Sequence, residues 1–218
     1  MAQGYVRTSE LPQVVPVFPV GGAILLPRGQ LPLNVFEPRY LNMIDDAMAG
    51  DRIIGMIQPM GGPSQLPALA QVGCLGRITS FAETSDGRYL ITLTGICRFG
   101  VSAELPVKTP YRQVRANFIG FADDLATPEP GQDLDRAAFR DALSAYLDHR
   151  GLSVDWETVE IAPPEALINS LSMALPFDLA EKQALLEAAS VEDRAAALIA
   201  LMRIDAAGLD EEEGPGLQ

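Results

Sequence analysis

The sequence predicts an α+β chain in which a strand-rich first half precedes a helical second half. Three observations carry this reading. Up to Phe121 the chain is a series of short apolar runs broken by Pro and Gly, the pattern of strands and turns. Residues 122–135, ADDLATPEPGQDLD, are acidic and proline-bearing, which marks a linker. Beyond them apolar residues recur at spacings of three and four, the period of amphipathic helices. The expected organisation is a β-rich subdomain over 12–121, an acidic linker over 122–135, a helical bundle over 136–209 and a disordered acidic tail over 210–218.

In the first half, Val14 to Val20 and Ala23 to Leu26 are two short runs interrupted by Pro16, Pro19, Gly21 and Gly22. Prolines at this density suit edge strands and bends rather than a central ladder. Leu31 to Phe36 is the next strand. Pro38 then fits the first turn of a helix, where its missing N–H has no intrahelical role. Leu41, Ile44 and Met48 give that helix one apolar side, and Gly50 ends it. Strand character returns over Arg52 to Gln58, Cys74 to Phe81, Tyr89 to Leu93, Arg98 to Val101 and Tyr111 to Phe118, with Asp86-Gly87 as a tight turn.

In the second half, Ala138, Leu143, Ala145 and Leu147 belong to one helix. Pro163-Pro164-Glu165 opens another, with Leu167, Leu171 and Leu175 on its stripe and Pro176 as its stop. Asp178 and Glu181 are spaced as a capping box. Val191, Ala195, Leu198 and Met202 form the stripe of a final helix.

Composition excludes several classes. The formal net charge is −13, and all of the excess lies after residue 110. Such a half repels phosphate backbones, which removes the main source of non-specific nucleic-acid affinity. No apolar run approaches the roughly 20 residues of a membrane helix. The N-terminal MAQGYVRTSELPQ has no apolar signal core, so the expected compartment is the cytoplasm. Cys74 and Cys97 sit in apolar strand contexts and read as buried thiols. One histidine and no CxxC argue against a metal centre, and His149 is expected to be exposed at a helix end. Neither lysine, Lys108 nor Lys182, follows a glycine as a phosphate loop requires. Neighbours on a helix point in different directions, so Asp45 and Asp46 make a poor acid/base pair, and both this pair and Asp123-Asp124 read as solvated faces. No catalytic residue, metal or cofactor is expected.

The segment PVFPVGGAILLPRGQLPLNVFEPRYLNMIDDAMAGDRIIGMI, residues 16–57, resembles the opening of the Lon protease N-terminal domain family, with its PLxxFEPRY turn leading into a short helix. VGCLGRI at 72–78, DGRYLITLTGICRF at 86–99, PYR at 110–112 and the block NSLSMALPFDLAEKQALLEAASVEDRAAALIALM at 169–202 recur in the same order in that family. The sequence departs from it at Asn34, where the family's stretch often carries His. The resemblance implies a β-rich, PUA-like, partly open barrel followed by a helical bundle. It also implies a stand-alone substrate-binding module without ATPase or peptidase, hence not an enzyme. Its partners would be unfolded or client polypeptides, with full-length Lon a further candidate, and its role protein quality control or adaptation. The alternative is a PUA-like regulator binding RNA or a small molecule, for which a basic patch around Arg77, Arg88 and Arg98 would be needed.

Two groups are the candidates for peptide contact. Glu37, Arg39 and Tyr40 lie where a helix starts. Glu37 could cap its free N–H groups and Arg39 could brace the barrel through a carboxylate, or both could touch a bound peptide. The loop 59–71, PMGGPSQLPALAQ, carries Met60, Leu66 and Leu69 between glycines and prolines. These side chains either form an adaptable apolar contact surface or fold back to cap the barrel.

Overall fold

A computed structural model describes residues 4–62, 66–127 and 134–208. The first half runs β1 (Val14–Pro19), β2 (Gln30–Val35), α1 (Pro38–Ala49), β3 (Ile53–Ile57), β4 (Val72–Glu83), β5 (Tyr89–Glu104) and β6 (Gln113–Asn117). The second half runs α2 (Arg136–Arg150), α3 (Trp156–Ile161), α4 (Pro164–Ala174), α5 (Leu179–Glu187) and α6 (Val191–Ala207). The strand-then-helix order is as predicted; α3 was not foreseen.

The sheet has the order β2-β5-β4-β3-β1-β6, and β6 also pairs with β5. That last pairing closes a ring of five strands, with β2 attached outside it. Closure depends on the length of β5. Its first half pairs with β2 from Tyr89 to Thr94, and its far end pairs with β6 from Gly100 to Glu104. The two runs expected on either side of Gly95 are therefore one strand. All pairings are antiparallel except β1 with β3.

Two expectations fail in instructive ways. First, β1 is an interior strand despite Pro16 and Pro19. Gln13 accepts from Ala116 and Val17 donates to Arg112, so odd-numbered residues face β6 and Pro16 turns its missing N–H away from it. On the other side Val20 donates to Ile57, which leaves Pro19 facing beyond the paired stretch of β6. Each proline falls where the ladder asks for no donor. Second, Ala23 to Leu26 forms no strand, yet Ile24, Leu25 and Leu26 are fully buried. Gly76 and Gly95 stand opposite each other on β4 and β5 and leave a notch for this segment. A Cβ on Gly95 would lie 2.0 Å from the Leu26 carbonyl oxygen, and one on Gly76 2.7 Å from Leu25 Cδ2.

One core cluster runs from Phe18, Ile54 and Leu93 of the sheet through Tyr146, Leu185 and Leu198 of the helices. A second fills the ring interior around Val15, Leu75, Phe99 and Val114. Helix ends follow the chemistry read from the sequence. Pro38 and Pro164 sit at first-turn positions, Asp178 and Glu181 form a capping box, and Ser190 caps α6 through Asp193. Cys74 and Cys97 are buried free thiols, and burial pushes Cys97 up to about 12. Residues 128–133 of the expected linker and the tail 210–218 lie outside the described residues. No described helix is long and apolar enough to cross a membrane.

Candidate functional site

The start of α1 is built differently from the expected cap. Glu37 occupies the N-cap position, but its side chain makes no capping bond. Its carboxylate instead accepts two bonds from Arg39, at 3.0 Å from Nε and 2.8 Å from Nη2. Both partners are about half exposed, so the pair adds little stability. It holds the Arg39 guanidinium 4.6 Å over the Tyr40 ring. Tyr40 itself is buried and packs its ring 4.4 Å from that of Phe18. Burial raises the Tyr40 phenol above its ordinary pKa; Glu37 pushes the same way, while Arg39 and Arg112 oppose it.

The 59–71 loop begins and ends as a narrow ribbon. Met60 donates to Ala68 at 2.7 Å, Ala68 to Gly61 at 3.0 Å and Ala70 to Gln58 at 2.9 Å. Gly61 and Gly62 turn it, with φ of 60° and 89°. Its apolar side chains separate. Leu69 is half-buried and packs against the ring's inner core, whereas Met60 and Leu66 remain 40% and 62% exposed. The root of the ribbon is fixed by Gln58, which is fully buried, accepts from the Gly22 amide and donates to Leu179 and Gln183 of α5.

Arg112 anchors the returning side of the ribbon. Its Nη1 donates to the Pro67 carbonyl at 2.7 Å, and Glu104 accepts its other two bonds at 2.6 Å each. The same charge acts on the Tyr40 phenol. Exposed apolar side chains thus stand at two places, Met60 and Leu66 on the ribbon and Phe36, 61% exposed, next to the Glu37–Arg39 pair. Among the described residues there is no group of three or more potential metal ligands.

Asp124 and the arginines depart most from expectation, whereas Asp45-Asp46 lies on an exposed face as expected. Asp45 and Asp46 are exposed but each accepts a tyrosine hydroxyl, Tyr89 at 2.9 Å and Tyr111 at 2.7 Å, pinning α1 to the sheet at two points. Asp124 is not solvated. It is 6% exposed and receives the Arg98 backbone N–H and guanidinium at 2.8–3.3 Å. Arg98, 4% exposed, also donates to the carbonyls of Leu186, Ala188 and Ala189 at the end of α5. Desolvation works against its charge, but Asp124 outweighs it and holds Arg98 above its ordinary pKa. The basic patch of Arg77, Arg88 and Arg98 therefore does not exist. Arg98 is inside, Arg77 stacks on Tyr5, and Arg88 pairs with Asp86. His149 is half-buried beside Asp205 rather than exposed. The missed signal for Arg98 was its strand: Leu93 to Phe99 has no polar alternation, so a charge there had to find a buried partner.

The family model described as "ATP-dependent protease La (LON) substrate-binding domain" matches residues 14–203. A Lon protease 2 of Myxococcus xanthus is 25% identical over 206 residues, covering 91% of this chain and 24% of that protein. A Lon protease of Syntrophus aciditrophicus is 28% identical over 191 residues, covering 85% and 23%. The chain thus spans about a quarter of the length of the curated relatives it matches. Among solved structures, a Lon N-terminal domain protein from Xanthomonas campestris superposes with a TM-score of 0.60 at 21% identity, covering 86% of this chain and 97% of that one.

Proposed function

This chain belongs to the family of ATP-dependent protease La (LON) substrate-binding domains, and from that premise we propose that it is a non-catalytic polypeptide binder. It takes up apolar segments of unfolded chains at the rim formed by Met60, Leu66, Phe36 and the Glu37–Arg39 pair, as a protein quality-control module or adaptor. One observation carries this reading: Met60 and Leu66 are exposed on a ribbon whose backbone is held from behind by Leu69, Gln58 and Arg112. A pinned backbone with free flexible side chains binds varied apolar segments at small ordering cost. Strand addition at the free edge of β2 is less suited. Gly95 donates to Gly29, so even-numbered residues of β2 face outward, and Pro32 removes the middle donor of that edge.

The test is fluorescence anisotropy with a labelled, reduced and alkylated polypeptide that cannot fold. Burying a Met or Leu side chain is worth about 1.5–3 kcal/mol when complete. The double change Met60→Asp with Leu66→Asp is expected to weaken binding by at least about tenfold. The melting midpoint should hold, because neither side chain is part of the core. Unchanged binding in the folded double variant sinks the proposal.

A further inference from the structure

The chain ahead of β1 crosses one end of the strand ring as a strap. Tyr5 is half-buried and packs on the ring's inner core, and Leu11, 4% exposed, is part of that core. The end is the one where β3 begins. The Tyr5 ring lies 5.1 Å from the guanidinium of Arg77, and Arg77 pairs with Ile53, the first residue of β3. Between the two anchors Val6, Arg7, Ser9 and Glu10 are exposed. The hydrogen bonds of the strap stay within it. The Glu10 carboxylate accepts from the Val6 and Arg7 amides at 2.9 and 3.3 Å, the Glu10 amide donates to Arg7 at 3.1 Å, and the Leu11 amide to Thr8 at 3.2 Å. Among the described residues no hydrogen bond joins residues 4–12 to the rest of the chain. Side-chain packing by Tyr5 and Leu11 and the stacking of Tyr5 on Arg77 hold it in place. Such a segment opens at low cost, because lifting it off the ring breaks no hydrogen bond to the ring.

The strap is also an incomplete occupant. The Nε of Arg77 is buried and has no hydrogen-bond partner among the described residues. A buried donor without an acceptor carries its full desolvation penalty. A polypeptide that set an aromatic ring in the place of Tyr5 and a carbonyl or carboxylate oxygen against Arg77 would satisfy what the strap leaves open. We propose that this end of the ring is a docking site for an aromatic-bearing segment of a client polypeptide, and that residues 4–12 occupy it in cis until a client displaces them. The inference rests on the polypeptide-binding reading above and adds a contact surface separate from Met60 and Leu66. The strap lowers the apparent affinity by the fraction of chains whose site it fills.

The experiment uses the full chain and the labelled, reduced and alkylated polypeptide, read by anisotropy. Tyr5→Ala removes the anchor of the cis competitor and should tighten polypeptide binding about fivefold. Because that variant touches the ring, Glu10→Ala serves as a second one. Glu10 is exposed, and its loss loosens only the strap's own turn, so binding should tighten about twofold at an unchanged melting midpoint. The same gains are expected in the Met60→Asp, Leu66→Asp background, which separates the two surfaces. An excess of the synthetic peptide GYVRTSELP, residues 4–12, should reverse the gain of the Tyr5→Ala chain, and the same peptide carrying Tyr5→Ala should not. Equal affinity of the natural, Tyr5→Ala and Glu10→Ala chains overturns the proposal and leaves Met60 and Leu66 standing as a contact surface. A gain that the peptide fails to reverse overturns it as well, and polypeptide binding by none of the chains contradicts both readings.

Discussion

Changing Asp124 to Ala removes one member of a buried ion pair and leaves the other in place. Arg98 and Asp124 are 4% and 6% exposed, so water cannot replace the lost carboxylate. The Leu186, Ala188 and Ala189 carbonyls would still hold the guanidinium, but no negative charge would. Breaking such a pair from one side costs about 3–5 kcal/mol. At roughly 2–4 °C per kcal/mol for a chain of this size, the melting midpoint should fall by about 10 °C. Urea unfolding followed through the single tryptophan, Trp156, gives the free energy directly. Asp45→Ala is the control. Its carboxylate bonds Tyr89 at the surface, and its loss should cost no more than about 1 kcal/mol. Replacing both partners, Arg98→Met with Asp124→Leu, should recover part of the loss. Recovery is incomplete because the α5 carbonyls lose their donor. If Asp124→Ala and Asp45→Ala cost the same, the pair does not tie the sheet to the helices, and the reasoning fails.

Two other outcomes follow from packing and titration. Gly95→Ala places a Cβ against the Leu26 carbonyl in a notch bounded by backbone, so it should destabilise by about 3 kcal/mol or more in the same urea assay. Lys182 is buried with only the Ser172 and Met173 carbonyls as partners, and burial lowers it to about 8. Its unfolded value is about 10.4, so between the two values the unfolded chain binds the extra proton and stability rises with pH. Tyr111 and Cys97, both pushed up to about 12, act oppositely at high pH, so the comparison must be with Lys182→Met. The stability of the natural chain relative to that variant should grow from pH 8 to pH 10; a flat difference contradicts the buried-ammonium assignment.

Most of the architecture was legible because it rests on local chemistry. Pro38 at a first turn, Asp178 with Glu181, and Asp86-Gly87 between two strands each act within four residues. What escaped the sequence depends on distant partners. Whether Pro16 sits in a central or an edge strand depends on which neighbour its missing N–H faces, and that neighbour is β3, some 40 residues away. Burial of Ala23 to Leu26 without pairing depends on two glycines brought opposite each other on β4 and β5. Asp124 looked like half of a solvated acidic pair because its partner, Arg98, lies 26 residues back on a strand. At the candidate site, the sequence singled out Met60, Leu66 and Leu69 together, but only the fold separates the one that packs inward from the two that face out. Arg112 lay within the PYR motif at 110–112, but the bonds that fix the ribbon, to the Pro67 carbonyl and to Glu104, join residues distant in the chain and could not be read from it.

Polypeptide capture at the rim is tested most directly by a spin-labelled unfolded polypeptide mixed with the ¹⁵N-labelled chain. Paramagnetic broadening is expected at the amides of Phe36, Glu37, Arg39 and Tyr40 and of Met60, Leu66 and Leu69, with the exposed faces of α2 and α6 unaffected. Broadening centred on the helices, or none at polypeptide concentrations that saturate anisotropy, would contradict it.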